Sequence, residues 1–146
     1  MCSKEPVSAD MVILSKVEDA VRNGARLPRW GWPIPPSYNG ATGQERIAGW
    51  QRLHLAQDQG WIPRPISCSI CYCAIRLHAH TENYFRPLLV QPICQRCHFC
   101  LHRRFRSRDP WLALLVRAPP SADWARKIGL DELTRTTAIF LAQHNF

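Results

Sequence analysis

Two short cysteine pairs, Cys68-Ser-Ile-Cys71 and Cys94-Gln-Arg-Cys97, constrain this chain more than any other feature. A CxxC segment bends into a knuckle that aims both sulfurs at one point. Two such knuckles, 22 residues apart, supply the four thiolates of a closed tetrahedral site. Structural zinc held by Cys68, Cys71, Cys94 and Cys97 is therefore expected, and local folding should depend on it. Cys73 and Cys100 lie two and three residues beyond the knuckles; we assign them to the core, although each could act as a ligand in a shifted register. Cys2 is expected to be a free thiol. His98 and His102 follow the second pair one helical turn apart, on the same side of a helix, and His80 ends the strand that would face them. Three imidazoles with an open position suit a second divalent ion, in contrast to the closed sulfur cage.

The charge points to a partner. The chain of 146 residues carries a net charge of +8, almost all of it from arginine, whose planar fork suits bidentate phosphate contacts. Arg96, Arg103, Arg104, Arg106 and Arg108 crowd the segment after Cys94, with no acid before Asp109, beside the expected histidine face. Nucleic acid is the partner this favours. The apolar run Met11–Leu14 is interrupted by Ser15-Lys16 and then by Glu18-Asp19, so no signal peptide is expected. No stretch approaches the roughly 20 apolar residues of a membrane span. An odd number of cysteines then suggests thiols that bind metal in a reducing cytoplasm and do not pair.

The flanks read as helices around this segment. Apolar spacing predicts a helix over 8–23, with Gly24 as its stop. Residues 27–43, rich in Pro, Gly and Trp, predict an irregular arm whose tryptophans pack on the core, with base stacking as their other use. Thr42 and Glu45 form a capping-box pattern for a helix over 43–58, its buried side marked by Ile47, Trp50, Leu53 and His54. His54 is expected to be a packed or half-exposed residue, not a ligand, and His144 a solvated one. A partly alternating strand over 74–80 would put His78 and His80 on one face. A second strand over 88–93, limited by Pro87 and Pro92, would lead into a helix over 95–107. Further helices are expected at Trp111–Val116, from Ser121 to Gly129, and from Asp131 to about His144.

The stretch from Cys68 to His102 resembles the HNH, or ββα-metal, endonucleases, particularly the phage-type variety stapled by a four-cysteine zinc site. The residues that carry the resemblance are Cys68-Ser-Ile-Cys71, Leu77-His-Ala-His-Thr-Glu-Asn-Tyr84, Arg86-Pro-Leu88, Pro92-Ile-Cys-Gln-Arg-Cys-His98 and Leu101-His-Arg103, about a quarter of the chain. The resemblance implies a small α+β protein with three parts: N-terminal helices and arm (1–65), a zinc-stapled ββα-metal core (66–108) and a C-terminal helical extension (109–146). It implies that His80, His98 and His102 hold one divalent ion (Mg, Mn, Ni or Zn) at the scissile phosphate of double-stranded DNA.

The chain also departs from that pattern. The histidine that normally deprotonates the attacking water is Thr81 here, and the residue that orients it is Leu89. A threonine hydroxyl is no base near neutral pH. Two expectations follow: a nuclease in which His78 or Glu82 takes the proton from a metal-activated water, or a catalytically inactive, zinc-stabilised module that binds DNA through its arginines. A protein-binding adaptor using the six tryptophans is the alternative of another class. A two-Cys, two-His finger is disfavoured, because Cys94, Cys97, His98 and His102 lack the spacer of roughly 12 residues between its ligand pairs.

Overall fold

A computed structural model describes residues 7–128. Their elements run α1 (Ala9–Arg22), α2 (Gly43–Asp58), β1 (Leu77–His80), β2 (Gln91–Cys94), α3 (Gln95–Arg103) and α4 (Arg108–Arg117). A single 3₁₀ turn, Pro120–Ala122, then leads into helical residues 123–128. This is a mixed α+β arrangement whose described residues hold one sheet, of two strands. Cys2, the Gly129 stop of the helix expected from Ser121, and the helix expected from Asp131 to about His144 lie outside the described residues. The chain divides into two compact units, Met1–Arg64 with Ala79–Gln91, and Pro65–His78 with Pro92–Phe146.

In the first unit, α1 and α2 pack through Val17, Leu53, Leu55 and Ala56, and Leu88 closes the same core. Thr42 caps α2 with the full reciprocal box: its hydroxyl accepts from the Glu45 amide, and the Glu45 carboxylate accepts from the Thr42 amide. The buried side of α2 differs from the expected one. Gly49, Leu53 and Ala56 face inward, whereas Ile47, Trp50 and His54 are only half-buried. Trp50 instead meets Trp30 and Trp32 of the arm, with ring centroids 5.1 and 5.7 Å away. His54 lies against Trp50 at 4.3 Å. Its burial, with the charge of Arg64, lowers its pKa below the usual imidazole range. Arg86 ties the loop after β1 to the start of α1, donating to both oxygens of Asp10 (2.7 and 3.1 Å) and to the Ser8 hydroxyl (3.1 Å).

In the second unit the core is Cys68, Ile70, Ile93, Cys94, Cys97, Leu101, Trp111, Leu115, Ala122 and Ala125. The sulfur ligands are therefore part of the hydrophobic core. Three boundaries differ from the sequence expectation. The first strand begins only at Leu77, because Arg76 has φ 52° and cannot continue an extended run. The second begins at Gln91 and not at residue 88. The helix expected over 95–107 ends at Arg103: Ser107 stands at the N-cap position of α4 in extended backbone, and Pro110 fits the first turn of that helix, where no amide donor is required.

Candidate metal centre

The first knuckle is built by backbone hydrogen bonds. The Cys68 amide donates to Cys73 O (2.8 Å), the Tyr72 amide donates to Cys68 O (3.0 Å), and the Ile70 amide points at the Cys68 sulfur (3.4 Å). Tyr72 takes φ 61° to close this turn. Ser69 locks the knuckle to the second pair, since its amide and hydroxyl both donate to Pro92 O (2.9 and 2.7 Å). Ser121 donates to Ser69 O (2.7 Å), and the Trp124 indole N–H donates to Ser69 Oγ (2.9 Å). Both contacts brace the knuckle from the C-terminal segment. The second pair sits where β2 becomes α3: Cys94 is at the N-cap position and Cys97 lies in the first turn of the helix.

These elements bring the four sulfurs of Cys68, Cys71, Cys94 and Cys97 within 4.8 Å of one another. Cys71 and Cys94 stand 3.6 Å apart. Cys68, Cys94 and Cys97 are buried and Cys71 is exposed. The electrostatics call for a cation. Burial, followed by the charge of Cys68, drives the Cys97 thiol far up, and burial also raises Cys71. Burial opposes ionisation of Cys68 too, but amides aimed at its sulfur from Cys71, Cys94 and Ile70 outweigh it and lower that thiol. Four thiolates within 4.8 Å of one another would repel strongly without a cation between them, and the all-sulfur donor set suits zinc or another thiophilic ion. Cys73 and Cys100 pack against the same core, half-buried, outside this four-sulfur group.

The histidines divide between the two units. His98 and His102, on α3 of the second unit, bring their Nε2 atoms to 2.9 Å, and the His78 ring lies 5.2 Å from that of His98. These three imidazoles line an open pocket of about 300 Å³ with Gln95, Phe99 and Arg103. His80 belongs to the first unit and is 2% exposed, with Nε2 2.6 Å from the Glu82 carboxylate. Glu82 also accepts from the Tyr38 hydroxyl (2.7 Å) and the Asn39 amide (2.7 Å). Sequence reasoning missed Tyr38 and Asn39. The available signal was the Asn39-Gly40 turn dipeptide, which takes φ 47° and 80° and carries both side chains to Glu82. The Thr81 hydroxyl is occupied by the loop, donating to Asn83 O (2.9 Å) and accepting from the Asn83 amide (3.2 Å). Leu89 is half exposed.

Arg96, Arg103, Arg106 and Arg108 are exposed. Arg104 departs from the expected basic face: it is 5% exposed, donates to Leu101 O (2.9 Å) and lies over the Phe105 ring, so it closes the end of α3. Among the described residues, no helix is long and apolar enough to cross a membrane. No protein-family model, curated protein or solved structure matches the chain.

Proposed function

We propose that this chain is an HNH-like protein that engages the backbone of double-stranded DNA through a histidine-held divalent ion, alongside structural zinc bound by Cys68, Cys71, Cys94 and Cys97. One observation carries the reading: the helix that supplies Cys97 to the sulfur cluster also converges His98 and His102 on an open pocket bordered by Arg103. A sulfur cage anchors the start of that helix, and its next turn presents two imidazoles and a guanidinium outward. His80 is the third imidazole that the resemblance assigns. Its contact with Glu82 is the carboxylate brace typical of metal-bound histidine. A divalent ion at the His98 and His102 pocket would polarise a phosphate oxygen and acidify a bound water. Arg96, Arg103, Arg106 and Arg108 would hold flanking phosphates, and Arg104 would keep the end of the helix in place.

The chemistry beyond binding turns on the base. Thr81 is bonded into its loop and Glu82 accepts from three side chains, which supports His78, exposed at the pocket, over Glu82 as the substitute base. The second reading, a module that binds DNA without cutting it, is supported by the loss of the usual base at Thr81 and of its orienting residue at Leu89. Without replacements these losses cost about 10²–10⁴ in rate per acid–base group. Plasmid nicking by the purified chain, with Mg²⁺, Mn²⁺, Ni²⁺ or Zn²⁺ added separately, decides between them. Cutting that disappears in His98→Ala establishes the nuclease. Absence of cutting, with DNA binding that weakens steeply as salt rises, establishes the binding module. Cutting undiminished in His98→Ala, or salt-insensitive binding, sinks both.

A further inference from the structure

The arm of the first unit carries a feature the metal centre does not use. Its course is fixed at several points: Gln51 donates to Pro28 O (2.9 Å), Arg46 donates to Pro36 O (2.7 Å), and the Trp30 indole N–H donates to Pro33 O (3.2 Å). At its end, Gly43 lies so close to the Pro35 carbonyl and the Ile34 side chain that a Cβ would collide with both. On this fixed backbone Trp30, Trp32 and Trp50 meet edge to face, with centroids 5.0–5.7 Å apart. Trp32 nevertheless leaves 59% of its surface in water. A rigid indole held by two others and turned outward costs no further ordering when a flat ligand lands on it.

The charge around the arm selects the ligand. No acid occurs between Asp19 and Glu45, whereas Arg26 and Arg29 lie within six residues of Trp32 and are exposed. Two exposed arginines within six residues of an outward aromatic face suit a π-faced ligand that carries negative charge. Unpaired bases on a phosphate backbone meet both conditions, while the base faces of a duplex are closed by stacking. A proline-rich peptide would use the indoles but gives no role to the arginines.

We propose that Trp32, fixed by Trp30 and Trp50 and followed along the arm from Arg26 and Arg29, is a stacking site for an unpaired base of single-stranded nucleic acid. The site lies wholly in the first unit and does not depend on the metal reading. Fluorescence anisotropy of labelled dT12 and U12 with the full chain tests it. Trp32→Ala should weaken binding roughly 5- to 150-fold, the range of one lost base–aromatic stack. Trp32→Phe should keep most of the affinity, and Arg26→Ala/Arg29→Ala should reduce the salt slope by about 0.7 per lost phosphate contact. Preference between dT12 and U12 distinguishes DNA from RNA as the source. The proposal fails if Trp32→Ala, shown by circular dichroism to be folded, binds both oligomers as the parent does. It fails equally if a proline-rich peptide quenches Trp32 fluorescence and neither oligomer does. If the alanine variant does not fold, the arginine pair decides: an unchanged affinity and salt slope overturn the proposal.

Discussion

Cys97 is fully buried, belongs to the hydrophobic core and is the sulfur whose ionisation its surroundings resist most. Cys97→Ser should therefore lose bound metal and cooperative folding together, since metal binding at such sites supplies folding free energy of order 10 kcal/mol. Elemental analysis and thermal melting of the variant check this; a full zinc complement with an unchanged melt would contradict it. A second prediction concerns Asp10. The hydrogen bond and charge of Arg86 hold its carboxyl below the usual value of 3.8, against a smaller opposing effect of burial. A depressed folded pKa contributes stability that is complete above the unfolded value and is lost as pH falls through the folded one. The stability gap between the parent and Asp10→Asn, measured in urea, should stay constant from neutral pH to about 5 and close below it. At this scale the cysteine ligands were legible because CxxC spacing leaves little freedom. Tyr38 and Asn39 were not, because their partner Glu82 is 43 to 44 residues away and nothing in local spacing records that contact.

Among elements, α3 joins the sulfur cluster to the two convergent imidazoles, so its position matters more than its length. Arg104 caps this helix through Leu101 O, and Arg104→Ala should fray its last turn. The variant should weaken DNA binding through lost helix order, seen as faster amide exchange at residues 101–104, whereas Arg103→Ala should weaken it with exchange unchanged. Gly43 sets the entry of α2. Gly43→Ala should destabilise by about 1–3 kcal/mol, the usual cost of overpacking, and lower the melting temperature, because the arm must move off the helix start. The cap of α2 was readable from Thr42 and Glu45, since a capping box is a local pattern. The bounds of α1 and α2 were also readable to within a residue, whereas the start of β1 and the end of α3 were not: Arg76 adopts a left-handed φ that its residue type does not announce, and the stop after Arg103 precedes a new helix at Arg108.

Across the molecule, the two units have separate cores, and only the second contains the sulfur ligands. Stripping metal with a strong chelator should abolish amide protection in α3 and α4 while leaving protection in α1 and α2, as hydrogen exchange would show. Uniform loss would mean that folding of the first unit also depends on metal. The mixed α+β class and the four-cysteine cluster were visible in the sequence. The division into units was not, because residues 79–91 return to the first unit after the chain has entered the second.

The most direct test of the central reading is the affinity of a labelled duplex for the zinc-loaded chain, with and without Mn²⁺, compared with His98→Ala/His102→Ala. The account predicts that Mn²⁺ tightens binding by about tenfold, equivalent to one added contact of roughly 1.4 kcal/mol, and that the double variant loses this gain while keeping its zinc. Equal tightening in both proteins, or none in the parent, would contradict a histidine-held ion at the DNA backbone.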